Sequence, residues 1–349
     1  MIRELLRRGP AGLRVLVRGR VPARFFHGLA PRVEFLPADL EPGIAQPNGL
    51  DMDLEATARA QATWLADFAA RTEEEARLLR SRGATAVLAD LPAVAFAAAR
   101  RAGIPAFGVA NFSWDWILEP LAEAAPVLGE AARVHAETVA TAERILRLPF
   151  GGGFRSAPRI EDVPLVVPGG PGDPITTRRR LGLLDEERPL VLLSFGGLGP
   201  GPLRVDEPGA LEPYHLLGPG PAPRGLEERY TRLPAPGAAA LPHSHVVRIA
   251  DVLVGKTGYS TCAEALALGT RVLFAERPGF RESPVLAEAL LRHGCARPLD
   301  RKALERGRLA GPLAELLARP VPPPGIPTDG ARVVAERVLR ALGIEPRGR

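Results

Sequence analysis

Short apolar runs alternating with longer amphipathic stretches constrain the fold of this chain more than any other feature. LRVLVR (13–18), VEFLP (33–37), AVLAD (86–90) and PAFGVA (105–110) have the length and content of buried strands. Between them lie helical patterns over 53–81 and 91–103, the second closed by Gly103. Such alternation gives a parallel sheet covered by helices. A further helix is expected over 119–148. A second series follows: strands at PLVLLSF (189–195), DVLVG (251–255) and RVLFAE (271–276), a helix over 261–268, and a last helix whose Val334, Val338 and Leu342 share one face. Residues 149–175, dense in Gly and Pro, read as a linker, and 199–245 is too rich in both to assign. The expectation is an α/β chain of two Rossmann-like domains, 1–150 and 151–349, with the last helix able to pack back on the first.

Composition narrows the function classes. With 46% hydrophobic and 24% charged residues, the 349-residue chain reads as globular and long enough for two cores. Its net charge of +5 comes almost wholly from arginine, since only Lys256 and Lys302 are lysines. The arginines are interleaved with acids, so a solvated surface fits better than a nucleic-acid patch. Contact with a lipid surface is compatible with the charge but has no feature in its favour. Cys262 and Cys295 stand in no metal or redox spacing, and no apolar run reaches the ~20 residues of a membrane span. The N-terminus, MIRELLRRGPAG, has no signal-peptide core, so a cytoplasmic protein is expected.

In parallel sheets, ligands bind beyond the carboxyl ends of strands. Those ends are Arg18–Arg20, Asp90, Asn111–Trp116, Gly196–Gly199 and Lys256–Thr261. DVLVGKTGYSTCAEALALG (251–269) is the most informative of them. "GKT" suggests a P-loop, but Ala250 stands where the first glycine is required, and 251–254 is strand, not loop. A strand that turns at Gly258 into a helix presents the amides of Tyr259, Ser260 and Thr261 to an anion, with Lys256 beside it. Thr261 and Glu264 also match a capping box, a purely structural role.

The same residues resemble the donor signature of GT-B nucleotide-sugar glycosyltransferases, H-C-G-W-N-S-T-x-E followed by a glycine. Lys256 stands at the His, Gly258 at the Gly, 259–262 at W-N-S-T, and Glu264 and Gly269 at the Glu and the later Gly. Together with NFSWDWIL (111–118), SFGG (194–197) and FRE (280–282), they resemble the glycosyltransferase-like half of arabinokinases and its stand-alone bacterial relatives. The resemblance runs from about residue 1 to residue 340. It implies sugar transfer from a nucleoside-diphosphate donor such as a UDP-sugar to an unknown acceptor. No metal and no cofactor are implied, the donor being a substrate. It places the donor diphosphate at Gly196, Gly197, Lys256, Gly258, Tyr259, Ser260 and Thr261, and the ribose hydroxyls at Glu264. The D/E-Q pair that ends the family signature has no Gln here, and Arg281 with Glu282 takes its place at the donor sugar. The rival in another class is a nucleotide-sugar-binding module without turnover, since arabinokinases fuse this half to a sugar kinase. The sequence leaves the oligomeric state open.

Candidates for the acceptor's base are Asp115 and Asp90. Asp115 lies between Trp114 and Trp116, which either stack on sugars or fill space, and it either binds hydroxyls or caps a helix. Asp90 ends a strand, where capping competes with a role beside a base. His27, His243 and His245 form no metal spacing. The resemblance also implies a first strand and glycine-rich loop that the chain does not show, so a sheet edge is expected to stand unpaired. An upstream extension of roughly 15–25 residues would supply it.

Overall fold

The computed structural model describes residues 1–21, 23–26, 28–167, 172–196, 204–234, 241–320 and 326–348. His27 and Gly197 lie outside them. The chain forms two compact units, one of residues 1–45, 53–166 and 329–349, the other of 46–52 and 167–328.

The first unit contains α1 (Ile2–Arg8), β1 (Val15–Gly19), β2 (Val33–Pro37), α2 (Leu54–Ser81), β3 (Val87–Ala89), α3 (Ala93–Ala102), β4 (Ala106–Phe112), α4 (Trp114–Leu118), α5 (Pro126–Val139), β5 (Arg144–Gly152) and β6 (Ile160–Asp162). All paired strands run parallel. They fall into two sheets, β1–β2 and β3–β4–β5–β6, with no strand joining them among the described residues. Arg18 at the end of β1 is committed to structure: it pairs with Glu75 on α2 and donates to the carbonyls of Leu36 and Pro37. Asp53 caps α2, accepting from Ala56 N at 2.8 Å. The C-terminal helix, Gly330–Ala341, packs on α1 through Arg8 and Glu336, 2.9 Å apart. Its Val334 and Val338 join Phe107, Val109 and Leu146 in the core.

Two expectations change here. Residues 144–148, read as helix, begin strand β5, and 149–152, read as linker, complete it. The alternation of RILRLPF pairs beside β4 and overrides its local helical appearance. The glycines that suggested a linker have a packing cause. A Cβ on Gly152 would lie 2.5 Å from the Trp116 ring, and Gly153 adopts φ +91 against Ser113 and Trp116. Only glycine lets this strand end pass the tryptophan.

The second unit contains α6 (Pro174–Leu181), β7 (Leu190–Ser194), β8 (His215–Gly218), β9 (Tyr230–Arg232), α7 (His243–Ile249), β10 (Val252–Lys256), α8 (Tyr259–Leu268), β11 (Arg271–Ala275), α9 (Glu282–Arg292), β12 (Ala296–Pro298), α10 (Arg301–Glu305) and α11 (Ala310–Leu317). Its six strands form one parallel sheet in the order β12–β11–β10–β7–β8–β9. The region left unassigned thus supplies β8, β9 and α7. Residues 46–52 are anchored to this unit, with Leu50 in its core. Asp51 holds Arg301 through both carboxylate oxygens, which draws its carboxyl down to about 2. Cys262 and Cys295 are free and buried. No helix among the described residues is long and apolar enough to cross a membrane.

Candidate functional site

The sheet of the second unit reverses direction between β7 and β10: the chain adds β8 and β9 on one side of β7, then β10, β11 and β12 on the other. Such a switch point opens a crevice at the strands' carboxyl ends, because the following connections diverge. The two strands deliver Ser194-Phe195-Gly196 and Lys256-Thr257-Gly258 to that place.

Gly196 sits at φ +74, a conformation that side chains other than glycine adopt only with strain. A Cβ there would lie 3.7 Å from Lys256 Cε and 3.9 Å from Nζ. Gly258 differs from expectation. At φ −120 its backbone is extended and open to any residue, so no sharp turn requires glycine. Its lack of a side chain instead leaves space beside Lys256. Lys256 is half-buried, and burial, reinforced by Arg277 and opposed by Glu282, lowers its ammonium to about 8.

The helix α8 begins at Tyr259, with Gly258 as an N-cap that makes no side-chain capping bond. Cys262 N is the first amide to bond back, to Gly258 O at 2.9 Å. The amides of Tyr259, Ser260 and Thr261 therefore precede the intrahelical ladder. Thr261 is already inside the helix, so the capping box does not form. Glu264 goes elsewhere: buried on the second turn, it accepts from His243 Nδ1 on α7, while His243 Nε2 meets Ser194 Oγ at 2.8 Å.

Beyond β11, Arg277 is buried and held on several sides. Its Nη2 donates to Gln46 Oε1 at 2.7 Å, its Cζ lies 3.3 Å above the centre of the Phe280 ring, and Glu282 Oε1 is 3.4 Å from Nη1. Its amide donates to Ser283 Oγ at 2.9 Å, and that hydroxyl shares a hydrogen bond of 2.6 Å with Thr257. Burial raises the Glu282 carboxyl, with Arg277 and Lys256 opposing the rise. Its Oε2 is buried without a hydrogen-bond partner among the described residues. Arg281 is the N-cap of α9, preceding Glu282. Among the described residues, no three His, Cys, Asp or Glu side chains come together as a metal set.

No family model matches the chain. In sequence, L-arabinokinase of Arabidopsis thaliana is 30% identical over 281 residues, which is 80% of this chain and 27% of that protein. The chain therefore spans little more than a quarter of the curated relative it matches. In structure, Arabidopsis thaliana UGT89C1 superposes with a TM-score of 0.60 at 16% identity, covering 95% of this chain and 88% of that one. The glycotransferase of kitacinnamycin gives 0.58 at 18% identity, covering 98% and 91%. Phytolacca americana UGT2, complexed with UDP-2fluoro-glucose and pterostilbene, gives 0.56 at 15%, covering 94% and 87%. The fold is that of the GT-B glycosyltransferases.

Within this GT-B fold the base candidates lie in the first unit. Asp90 follows β3 and is not a cap; the N-cap of α3 is Pro92. The residue after Asp90, Leu91, is fully buried at φ +53, a strained conformation for a bulky side chain. Gly108 on β4 makes room for it, since a Cβ there would lie 2.8 Å from Leu91 Cδ2. Asp90 is open to solvent, yet the protein around it disfavours the charged form and pushes its carboxyl up to about 6. Asp115 lies inside α4, whose N-cap is Ser113, so it is no cap, and its Oδ1 is buried without a hydrogen bond among the described residues. Trp114 meets Phe112 edge-on at 5.4 Å, and Trp116 fills the space left by Gly152 and Gly153.

The sequence pattern brought Lys256, Gly258 and Glu264 to one place because they are neighbours along one strand–turn–helix. Arg277, His243 and Gln46 were missed. A lone arginine after a strand is a signal for the first; the others carry none.

Proposed function

We propose that the chain transfers a sugar from a nucleoside-diphosphate donor to an acceptor without a metal. The observation that carries this is the switch point itself, where Gly196, half-buried Lys256 and the first-turn amides of α8 adjoin Glu264. The donor diphosphate binds at the amides and Lys256, the ribose hydroxyls at Glu264, and a sugar hydroxyl at Glu282 Oε2, which is buried without a hydrogen bond among the described residues. An acceptor oxygen bonds to the anomeric carbon as the bond from that carbon to the β-phosphate oxygen breaks. The electron pair leaves with the nucleoside diphosphate, whose charge Lys256 and the amides neutralise. Asp90 or Asp115 takes the acceptor's proton.

A nucleotide-sugar-binding module without turnover is the second reading. It is favoured by the name of the sequence relative, a kinase of which this chain spans 27%. Calorimetry with UDP-, GDP- and TDP-sugars, followed by assay of donor hydrolysis, separates the two. Binding that Glu264→Ala weakens, with hydrolysis, supports transfer. Binding without turnover supports the module, and no binding sinks both.

A further inference from the structure

Glu264 alone cannot hold a carboxylate ready for ribose hydroxyls, because it is a flexible side chain that is 95% buried. A buried carboxylate without a partner takes up a proton or turns away. Two other elements prevent this. His243 opens α7 and Ser194 ends β7, and the ring of His243 bridges them to α8. An ionised carboxylate only accepts, so Nδ1 carries the hydrogen toward Glu264 Oε2. In the neutral ring Nε2 is then an acceptor, and Ser194 Oγ, 2.8 Å away, is its donor. The serine thus fixes the tautomer, and the tautomer fixes the carboxylate. A second tie, from Thr270 Oγ1 to Val247 O at 3.2 Å, keeps α7 in place beside the end of α8.

We infer that His243, oriented by Ser194, is a positioning residue that holds Glu264 in the one rotamer able to read ribose hydroxyls, making the pair Ser194–His243 the determinant of ribose over deoxyribose in the donor nucleotide. This rests on the proposed donor site. With Oε2 engaged by His243, the carboxylate cannot rotate freely to follow a ligand that lacks the hydroxyl. The hydroxyl of a ribonucleotide then gains a charge-assisted hydrogen bond that a deoxyribonucleotide cannot make.

The test measures dissociation constants for UDP, GDP, ADP and CDP and their 2′-deoxy counterparts by calorimetry. The full chain is used as wild type, His243→Ala, His243→Asn, Ser194→Ala and Glu264→Ala, each checked by thermal unfolding. Wild type should prefer the ribonucleotide by roughly tenfold or more. His243→Ala and Glu264→Ala should bring that ratio close to one by weakening the ribonucleotide, which loses the 2′-hydroxyl contact, more than the deoxyribonucleotide. His243→Asn, whose amide N–H can replace Nδ1–H, should restore most of the ratio, and Ser194→Ala, one oxygen smaller, should reduce it partly. A merely structural His243 would weaken both nucleotides together at constant ratio, and that result overturns the inference. So does a wild type that binds both sugars equally. A wild type that binds none of these nucleotides instead removes the proposed donor site, and is recognised by its indifference to every variant.

Discussion

Gly196 and Lys256 lie against each other at the ends of neighbouring strands, so close that a methyl group on the glycine would touch the lysine's Cε at 3.7 Å. That distance is ordinary contact, so space is not what requires glycine there. The backbone at φ +74 is. Gly196→Ala should cost about 1 kcal/mol of local strain, relieved by rotating the strand end. The expected result is donor binding weakened several-fold with little change in melting temperature, read by calorimetry beside thermal unfolding. A loss of stability with intact binding would show that the turn serves only the fold.

Lys256 gives the site a pH dependence of defined sign. Its ammonium titrates at about 8 because burial disfavours the charge, with Arg277 adding to the effect. A bound diphosphate stabilises the charged form and raises that value. Affinity should be constant well below pH 8 and fall as the pH rises through 8, by up to about tenfold per unit until the bound lysine also titrates. Lys256→Ala should weaken binding by about ten- to a hundredfold at pH 7 and abolish the alkaline fall. An unchanged alkaline limb in the variant would assign the titration to another group.

Arg277 and Glu282 form a buried pair whose members depend on one another. Removing Arg277 strands a carboxylate whose Oε2 already lacks a partner among the described residues. Arg277→Met should cost about 3–5 kcal/mol in denaturant unfolding, and Arg277→Met with Glu282→Gln should recover part of it. The single change Arg277→Lys should also destabilise, because a point charge cannot both stack on Phe280 and reach Gln46. Equal losses in the single and double variants would show that Gln46 and Phe280, not Glu282, hold the guanidinium.

Strands β1 to β4, β7, β10 and β11 were legible because each is a short apolar run, so composition reports burial directly. Strands β5, β6, β8, β9 and β12 were not, because their sequences carry the Gly, Pro and charge of loops or the look of a helix. The site was legible only where chain and space coincide. Lys256, Gly258 and Glu264 share one turn and helix, and their spacing fixes their proximity. His243 reaches Glu264 from 21 residues away, and Gln46 reaches Arg277 from 231 away. No local pattern encodes either, since only the packing of separate elements creates them. The glycines at 151–153 misled for the opposite reason. Composition reads them as a linker, whereas the Asn111 carbonyl against Gly151 and the Trp116 side chain against Gly152 and Gly153 demand them. The capping box at Thr261 and Glu264 failed because α8 begins at Tyr259, which puts Thr261 inside its first turn and leaves Glu264 to a tertiary partner, His243.

Asp90 carries the last prediction. It follows a three-residue strand and precedes a buried leucine held at φ +53, and strain of this kind, about 1–3 kcal/mol, persists where surrounding structure enforces it. The turn keeps a carboxyl open to solvent while protein around it raises its titration to about 6. A base works only when deprotonated. If Asp90 takes the acceptor's proton, the rate of donor hydrolysis, with water as the acceptor, should climb with pH below about 6 and level off above it. The same shift acts on stability with the opposite sense: a raised carboxyl binds its proton more tightly in the folded state, so stability declines as pH rises from the ordinary aspartate value to about 6 and is flat beyond. Asp90→Asn should therefore remove the acidic limb, lower the plateau by about 10²–10⁴-fold, and leave stability at neutral pH equal or higher. Asp115→Asn under the same assay decides between the two carboxylates: if it lowers the plateau that far while Asp90→Asn keeps the acidic limb, the proton goes to the carboxylate of α4.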